Sequence, residues 1–243
     1  MNSLFIKVNQ TFTKQSFLAS VFFFFVLSSW YVLRPVRNEM AVSNVDNLPL
    51  LLAIGAIAML LVNPIYSWAA SKTNLRKLLT YCYLFFISNL LMFLFAWRVL
   101  DLEGVLWLGR AFYIWCNIYS FFVVSIFWVV IINVFRSSKT RNFYGVIMAG
   151  GSIGAFVGSE ISKRLSTSFN DYGLEFFSIS AIILLFFGLC VGLFLISSTN
   201  SNQNKESFKP LGGASFDGIK NALTKQDIRS IAIYVWLFTG LMT

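Results

Sequence analysis

Six long apolar stretches, each near the length of a membrane crossing, constrain this chain more than any other feature: residues 17–33, 48–70, 78–97, 105–134, 143–162 and 176–196. A helix rising about 1.5 Å per residue needs roughly 20 residues to cross a hydrocarbon core of about 30 Å. Backbone in lipid must satisfy its own hydrogen bonds, so stretches of this length are read as α-helices. A seventh apolar stretch, residues 231–243, holds 13 residues. Its rise of about 20 Å falls roughly 10 Å short of a crossing. The expected organisation is a six-span transmembrane bundle over residues 1–196, a cytoplasmic linker over 197–229 and the start of a seventh span over 230–243. On that reading the chain is the first half of a larger protein with two bundles. The alternative is a complete six-span protein with a short interfacial tail.

Charge decides between a membrane protein and a binder of nucleic acid. Hydrophobic residues make up 57% of the chain and charged residues 12%, against about 25% charged in an average soluble protein. A net charge of +9 invites a phosphate-binding reading, but its distribution argues otherwise. With the N-terminus in the cytoplasm, the inner segments are the N-terminal tail and residues 71–77, 135–141 and 197–229. Together they carry 13 bases and three acids, whereas the rest of the chain carries six bases and seven acids. That asymmetry is the positive-inside pattern and puts both ends of the six-span unit in the cytoplasm. The excess charge is therefore topological. The expected partner is the lipid bilayer and not nucleic acid.

Other readings of the same residues fall away. Lys7 and Lys14 ahead of an apolar run resemble a signal peptide. That run is too long for a typical signal core, though, and charged residues follow it with no small-residue cleavage site. It stays as the first span. Cys82, Cys116 and Cys190 lie in separate stretches with no paired spacing, which makes them buried apolar thiols. Histidine is absent, which excludes a His-based triad and would leave a metal site with carboxylates alone. No metal and no cofactor are expected. Residues 197–229 open with a polar Ser/Thr/Asn/Gln run that has no means of building a core. Phe216, Ile219 and Leu223 then follow at helical spacing, as expected of a short helix lying on the membrane surface.

The first cluster able to carry chemistry closes the first span: Trp30-Tyr31-Val32-Leu33-Arg34-Pro35-Val36-Arg37-Asn38-Glu39-Met40. Pro35 removes a backbone donor and disfavours helix at Arg34, so the helix is expected to bend or stop there. Two readings stand side by side. Arg34 and Arg37 either anchor at the interface, with stems snorkelling outward beside Trp30 and Tyr31, or bind an anion in a cavity, for which a guanidinium offers two parallel donors.

The run Leu33-Arg34-Pro35-Val36-Arg37-Asn38-Glu39-Met40-Ala41-Val42 resembles the first-span exit of the nucleotide translocases, the ATP/ADP exchangers of intracellular bacteria and plastids, and their bacterial relatives of major facilitator type. Arg34 and Arg37 match the two basic positions of that motif, and Asn38 stands where an aspartate is usual. The resemblance extends more loosely over all six stretches, including Phe127-Trp128 and a glycine-rich fifth span. It implies an all-α integral membrane protein, the six-helix N-terminal bundle of a twelve-span major facilitator-like fold in a bacterial inner membrane. The implied function is secondary active transport of an anionic solute, such as a nucleotide or other phosphorylated metabolite, by exchange or an ion gradient.

The fifth stretch holds Gly145, Gly150, Gly151, Gly154 and Gly158. Gly150, Gly154 and Gly158 recur every fourth residue on one helix face, which permits close approach of a neighbouring helix. Gly145-x8-Gly154-x3-Gly158 also resembles the fifth-helix glycine motif of major facilitator antiporters, with Ser159 in place of the usual following proline. Together with Pro35, these glycines are the candidate packing and conformational positions. Residues 66–77 have the place and basic ending of the major facilitator signature loop but lack its glycine and aspartate.

Arg110 lies inside the fourth stretch, where a buried charge costs a few kcal/mol (about 2.5–3.5 on the insertion scale). It therefore faces a wet cavity or a partner, or else snorkels with Arg98, Asp101 and Glu103. In major facilitator folds the first and fourth helices line the central cavity, which implies that Arg34, Arg37 and Arg110 converge there. Asn117, seven residues on, shares the Arg110 face and is the best cavity candidate among the span amides Asn63, Asn89, Asn117 and Asn133, which otherwise bond between helices. Glu160 either pairs with Lys163 or Arg164 or serves as an ion-coupling site.

The expected function is a transporter working by alternating access, this bundle rocking against a second bundle of the same chain. The chain lacks a phosphate-cradling Gly-rich loop with lysine, so hydrolysis of its solute is not expected. A membrane enzyme would need clustered carboxylates, histidines or a nucleophile near an interface, and the sequence offers none. A structural or assembly subunit is the alternative, because scaffolds also carry glycine faces.

Overall fold

The computed structural model describes residues 2–100, 102–135, 143–168 and 173–200, with residues 224, 229 and 230. The expected surface helix at 216–223 and the seventh apolar stretch lie outside the described residues. Six helices follow one another: α1 (Asn2–Val42), a single 3-10 turn at Val45–Asn47, α2 (Leu48–Lys72), α3 (Leu75–Val99), α4 (Leu102–Val134), α5 (Phe143–Ser168) and α6 (Gly173–Asn200). Among the described residues the chain is all helical, with no strand.

Five helices are long and apolar enough to cross a membrane, over Lys14–Val42, Leu75–Val99, Gly104–Val134, Tyr144–Thr167 and Glu175–Thr199. The sixth expected span is shorter: the apolar part of α2 is Leu48–Pro64, a rise of about 26 Å. Two local expectations are overturned. Pro35 does not end α1, which runs unbroken to Val42. Its ring sits on the exposed side of the helix, so the missing donor and the displaced carbonyl fall away from the packed face. Residues 66–77 are not a loop either: α2 and α3 meet across a two-residue turn at Thr73 and Asn74.

Packing partners fix how the helices thread. Aromatic contacts pair Phe23 with Phe127 at 4.3 Å and Trp30 with Tyr119 at 6.3 Å. Numbers rising along α1 thus meet numbers falling along α4, and the two helices are antiparallel. The same test makes α1–α6 antiparallel, from Gln15–Thr199 and Phe25–Phe187, and likewise α3–α6, from Leu79 beside Gly192 and Arg98 bonded to Glu175. In contrast, α1 and α5 run parallel, with Ser20 at Gly150, Phe24 at Gly154 and Ser28 at Gly158. The helices therefore alternate in direction as serial crossings of one layer.

The principal pairings are α1 with α5, α6 and α4, α3 with α6 and α4, and α2 with α4. Exchanging α1 with α4, α2 with α5 and α3 with α6 maps this set onto itself. The α1–α5 pair becomes α4–α2, the α1–α6 pair becomes α4–α3, and α1–α4 and α3–α6 map to themselves. The match is one of pairing alone, since α1 packs far more extensively on α5 and α6 than α4 does on α2 and α3.

Two kinds of contact hold α1 at the centre. On the α4 side, Phe22, Phe23 and Phe127 interlock, and Trp30 meets Tyr119 at 6.3 Å. On the α5 side the fit is backbone to backbone. A Cβ at Gly150 would come within 2.4 Å of the Ser20 carbonyl oxygen, one at Gly154 within 2.3 Å of the Phe24 carbonyl oxygen, and one at Gly158 within 2.6 Å of the Ser28 carbonyl oxygen. Two hydroxyls of α1 bridge that gap: Ser20 donates to the Val146 carbonyl and Ser28 to the Gly154 carbonyl, each at 2.9 Å. Around the bundle, Phe17, Leu60, Phe95, Trp107, Phe156 and Phe194 are exposed. Apolar exposure on every side is what lipid, not water, tolerates.

Candidate functional site

Arg37 and Arg110 face each other's helices across the α1–α4 seam. The Arg37 guanidinium donates through Nη1 to Asn117 Oδ1 at 3.1 Å and through Nη2 to Asn38 Oδ1 at 3.1 Å. Arg110 donates through Nε to Asn44 Oδ1 at 2.8 Å, and Asn44 in turn donates to the Met40 carbonyl at 3.0 Å. Asn44 is therefore anchored at the end of α1. Arg110 and Asn117 lie seven residues apart on α4, and Arg37 of α1 precedes Asn44, in the turn after α1, by the same spacing. Seven residues are two helical turns, about 10 Å, so Arg110 and Asn117 share a face. Antiparallel packing then matches each arginine with the other helix's amide. A third rung follows deeper in, where the Ser29 and Tyr119 hydroxyls meet at 2.7 Å.

Aromatic rings lie beside both guanidinia, Trp107 on the exposed side. The Arg37 guanidinium lies 5.6 Å from the Trp30 ring and 5.8 Å from Tyr113, and that of Arg110 lies 4.6 Å from Trp107. Trp30 precedes Arg37 by two turns, about 10 Å of rise. The head group is thus turned back into the span and not outward past Val42, which is the opposite of snorkelling. Asn117 likewise sits 13 residues inside the apolar span that begins at Gly104, about 20 Å of helix.

Among the carboxylates whose side chains the structure describes, which do not include Asp101 and Glu103, none is paired with Arg34, Arg37 or Arg110, whereas Arg98 is paired with Glu175 and Arg164 with Glu160. Hydrogen bonds from a charged donor are worth about 1.5–3 kcal/mol each, enough to offset the cost of holding a guanidinium in a span. The acceptors seen among the described side chains are neutral amides, which satisfy donors without supplying a counter-charge. Arg37 Nε is buried with no hydrogen-bond partner. Chemically, the seam presents two cations, one with a free buried N–H, between aromatic faces.

The structure separates other expected site residues from this seam. Arg34 is exposed and lies over the Tyr31 ring at 5.4 Å. Tyr31 in turn faces Gly158 of α5, so Arg34 belongs to the α5 side and does not converge with the other two arginines. Asn117 serves Arg37 instead of Arg110, and it abuts Gly55 of α2. Glu160 accepts from Arg164 at 3.1 Å on an exposed surface. Of the glycines, Gly150, Gly154 and Gly158 touch α1, Gly151 faces the Phe23 ring, and Gly145 has nothing within 4 Å of a would-be Cβ. Gly145 therefore takes no part in helix packing. Asn44, Tyr113 and Trp107 join the site without having been singled out in the sequence; the repeated Arg-x6-Asn spacing was the signal that could have found Asn44. Among the described residues no group of three or more His, Cys, Asp or Glu could hold a metal ion.

Comparison of the chain with protein-family models, with curated proteins and with solved structures finds no significant match.

Proposed function

We propose that this chain forms one bundle of a secondary active transporter for an anionic solute, working by alternating access against a second bundle. The observation that carries the proposal is the pair Arg37 and Arg110 at the α1–α4 seam, whose hydrogen-bond acceptors among the described side chains are amides and which lie beside aromatic rings. A guanidinium kept in a span without a counter-charge is a standing site for an anion, which supplies the charge the protein withholds. The way the pairings of α1, α2 and α3 exchange with those of α4, α5 and α6 is in keeping with the three-plus-three repeats of transporters. The resemblance of the Arg34–Arg37 segment to nucleotide translocases favours a phosphorylated solute. The same resemblance favours a bacterial inner membrane, and the charge asymmetry favours an N-terminus in the cytoplasm.

The test is uptake and binding by the full-length protein in proteoliposomes, with a panel of labelled nucleotides, phosphorylated metabolites and organic anions. Wild type is expected to bind at least one. Arg37→Lys and Arg110→Lys keep the charge but lose the planar fork, so both are expected to weaken binding while helicity stays unchanged. Equal affinities across the series, or no binding by wild type, would leave a structural or assembly subunit as the reading.

A further inference from the structure

The two acceptors on Arg37 differ in how firmly they are held. Asn117 is half-buried on α4 and packed toward Gly55 of α2. Asn38 is exposed and immediately follows Arg37 on the same helix. Asn117 takes Nη1, whereas Asn38 takes Nη2 and leaves the neighbouring Nε buried and unpartnered. The Nε/Nη2 edge is thus half filled by one neutral oxygen.

The chain itself shows what that edge does when given two oxygens. Arg98 donates through Nε to Glu175 Oε1 at 2.7 Å and through Nη2 to Oε2 at 2.6 Å, gripping the carboxylate side-on. Those bonds are 0.4–0.5 Å shorter than the Arg37–Asn38 contact at 3.1 Å, as expected when the acceptor carries charge.

We propose that Asn38 is the exchangeable placeholder of the anion site: its amide oxygen occupies Nη2 in the empty state and leaves when a ligand oxyanion takes the Nε/Nη2 edge, while Asn117 holds Nη1 throughout. The inference rests on the transporter reading and adds which edge binds and which residue sets the affinity. The ligand class is an oxyanion presenting two oxygens to one guanidinium, a phosphate or carboxylate borne by a soluble solute or by a lipid head group. An aspartate at position 38 would supply a charged intramolecular acceptor for the same edge and compete with the ligand more strongly than the amide does. Atoms and charge balance simply: one bond from the charged guanidinium to a neutral oxygen breaks, two bonds from it to charged oxygens form, and no covalent step occurs.

The experiment titrates inorganic phosphate into the full-length protein in phosphatidylcholine nanodiscs, for wild type, Asn38→Ala, Asn38→Asp and Arg37→Lys. A second arm omits phosphate and raises the phosphatidylglycerol content. Asn38 is exposed, so none of its variants disturbs packing, and circular dichroism checks this. The expected result is a two- to tenfold gain in affinity for Asn38→Ala, whose competitor is gone, and a loss of at least tenfold for Asn38→Asp. A residue that merely shaped the helix would give losses in both, and that outcome overturns the proposal. Unchanged affinity in both Asn38 variants, with binding lost in Arg37→Lys, overturns the exchange and leaves the anion reading standing. An Arg37→Lys variant that binds like wild type, or a wild type that binds in neither arm, overturns both. The same order of variants seen only with phosphatidylglycerol supports the exchange and names a lipid as the oxyanion's source.

Discussion

Replacing Gly154 by alanine tests the tightest joint in the bundle. The new methyl would lie 2.3 Å from the Phe24 carbonyl oxygen and 2.8 Å from its Cα. Ordinary contact begins near 3.4 Å, so the helices must separate by about 1 Å or the backbone must deform. Overpacking of this kind costs about 1–3 kcal/mol. Separation also stretches the 2.9 Å bond from Ser28 to the Gly154 carbonyl, worth about 0.6 kcal/mol for an interhelical bond in a membrane. Alanine's better helix propensity returns at most about 1 kcal/mol, leaving a net loss of about 1–3 kcal/mol. Gly145→Ala is the control: the same methyl on the same helix meets nothing within 4 Å, so only the propensity gain of up to about 1 kcal/mol remains. Unfolding in mixed micelles by SDS titration, followed by circular dichroism, should separate the two variants by about 2–4 kcal/mol on these terms. Equal midpoints, or a Gly154→Ala variant as stable as wild type, would refute the backbone-contact argument.

Other expectations use the same assay or a simpler one. Tyr83→Phe removes a buried hydroxyl that has no hydrogen-bond partner, so it should be neutral or stabilise by up to about 1 kcal/mol. Tyr119→Phe breaks the 2.7 Å bond to Ser29 and should cost about 0.5–1.5 kcal/mol. The reverse order in SDS unfolding would contradict the assigned contacts. A double-mutant cycle on Arg98 and Glu175 should give a coupling of no more than about 1 kcal/mol, because the arginine is 69% exposed and the pair is screened. A coupling above about 3 kcal/mol would mean that the site is far drier than the structure has it. Cysteines placed at Ser138 and Ser201 should react with impermeant thiol reagents from the cytoplasmic side, and one at Asn170 from the opposite side. Labelling from the reverse sides would overturn the orientation.

Much of this protein was legible from the chain alone because a bilayer imposes a one-dimensional rule. Apolar length fixes where helices lie, and α3 to α6 fall on the stretches read from the sequence. The four-residue spacing of Gly150, Gly154 and Gly158 likewise named a contact face, since helical periodicity is local. Spacing names a face but not its partner. Only the packed bundle decided that the glycine face receives α1, that Gly145 lies outside it, and that α1 continues through Pro35 with the proline ring turned outward. The arginines divide along the same line. Their presence in apolar stretches marked them from the sequence, because an unpaired charge there is costly. That Arg37 meets Asn117, Arg110 meets Asn44 and Arg34 turns toward α5 depends on the antiparallel register of α1 and α4. That register is set by Phe22, Phe23 and Phe127 interlocking across about a hundred residues of chain, and contacts of such separation leave no trace in local periodicity.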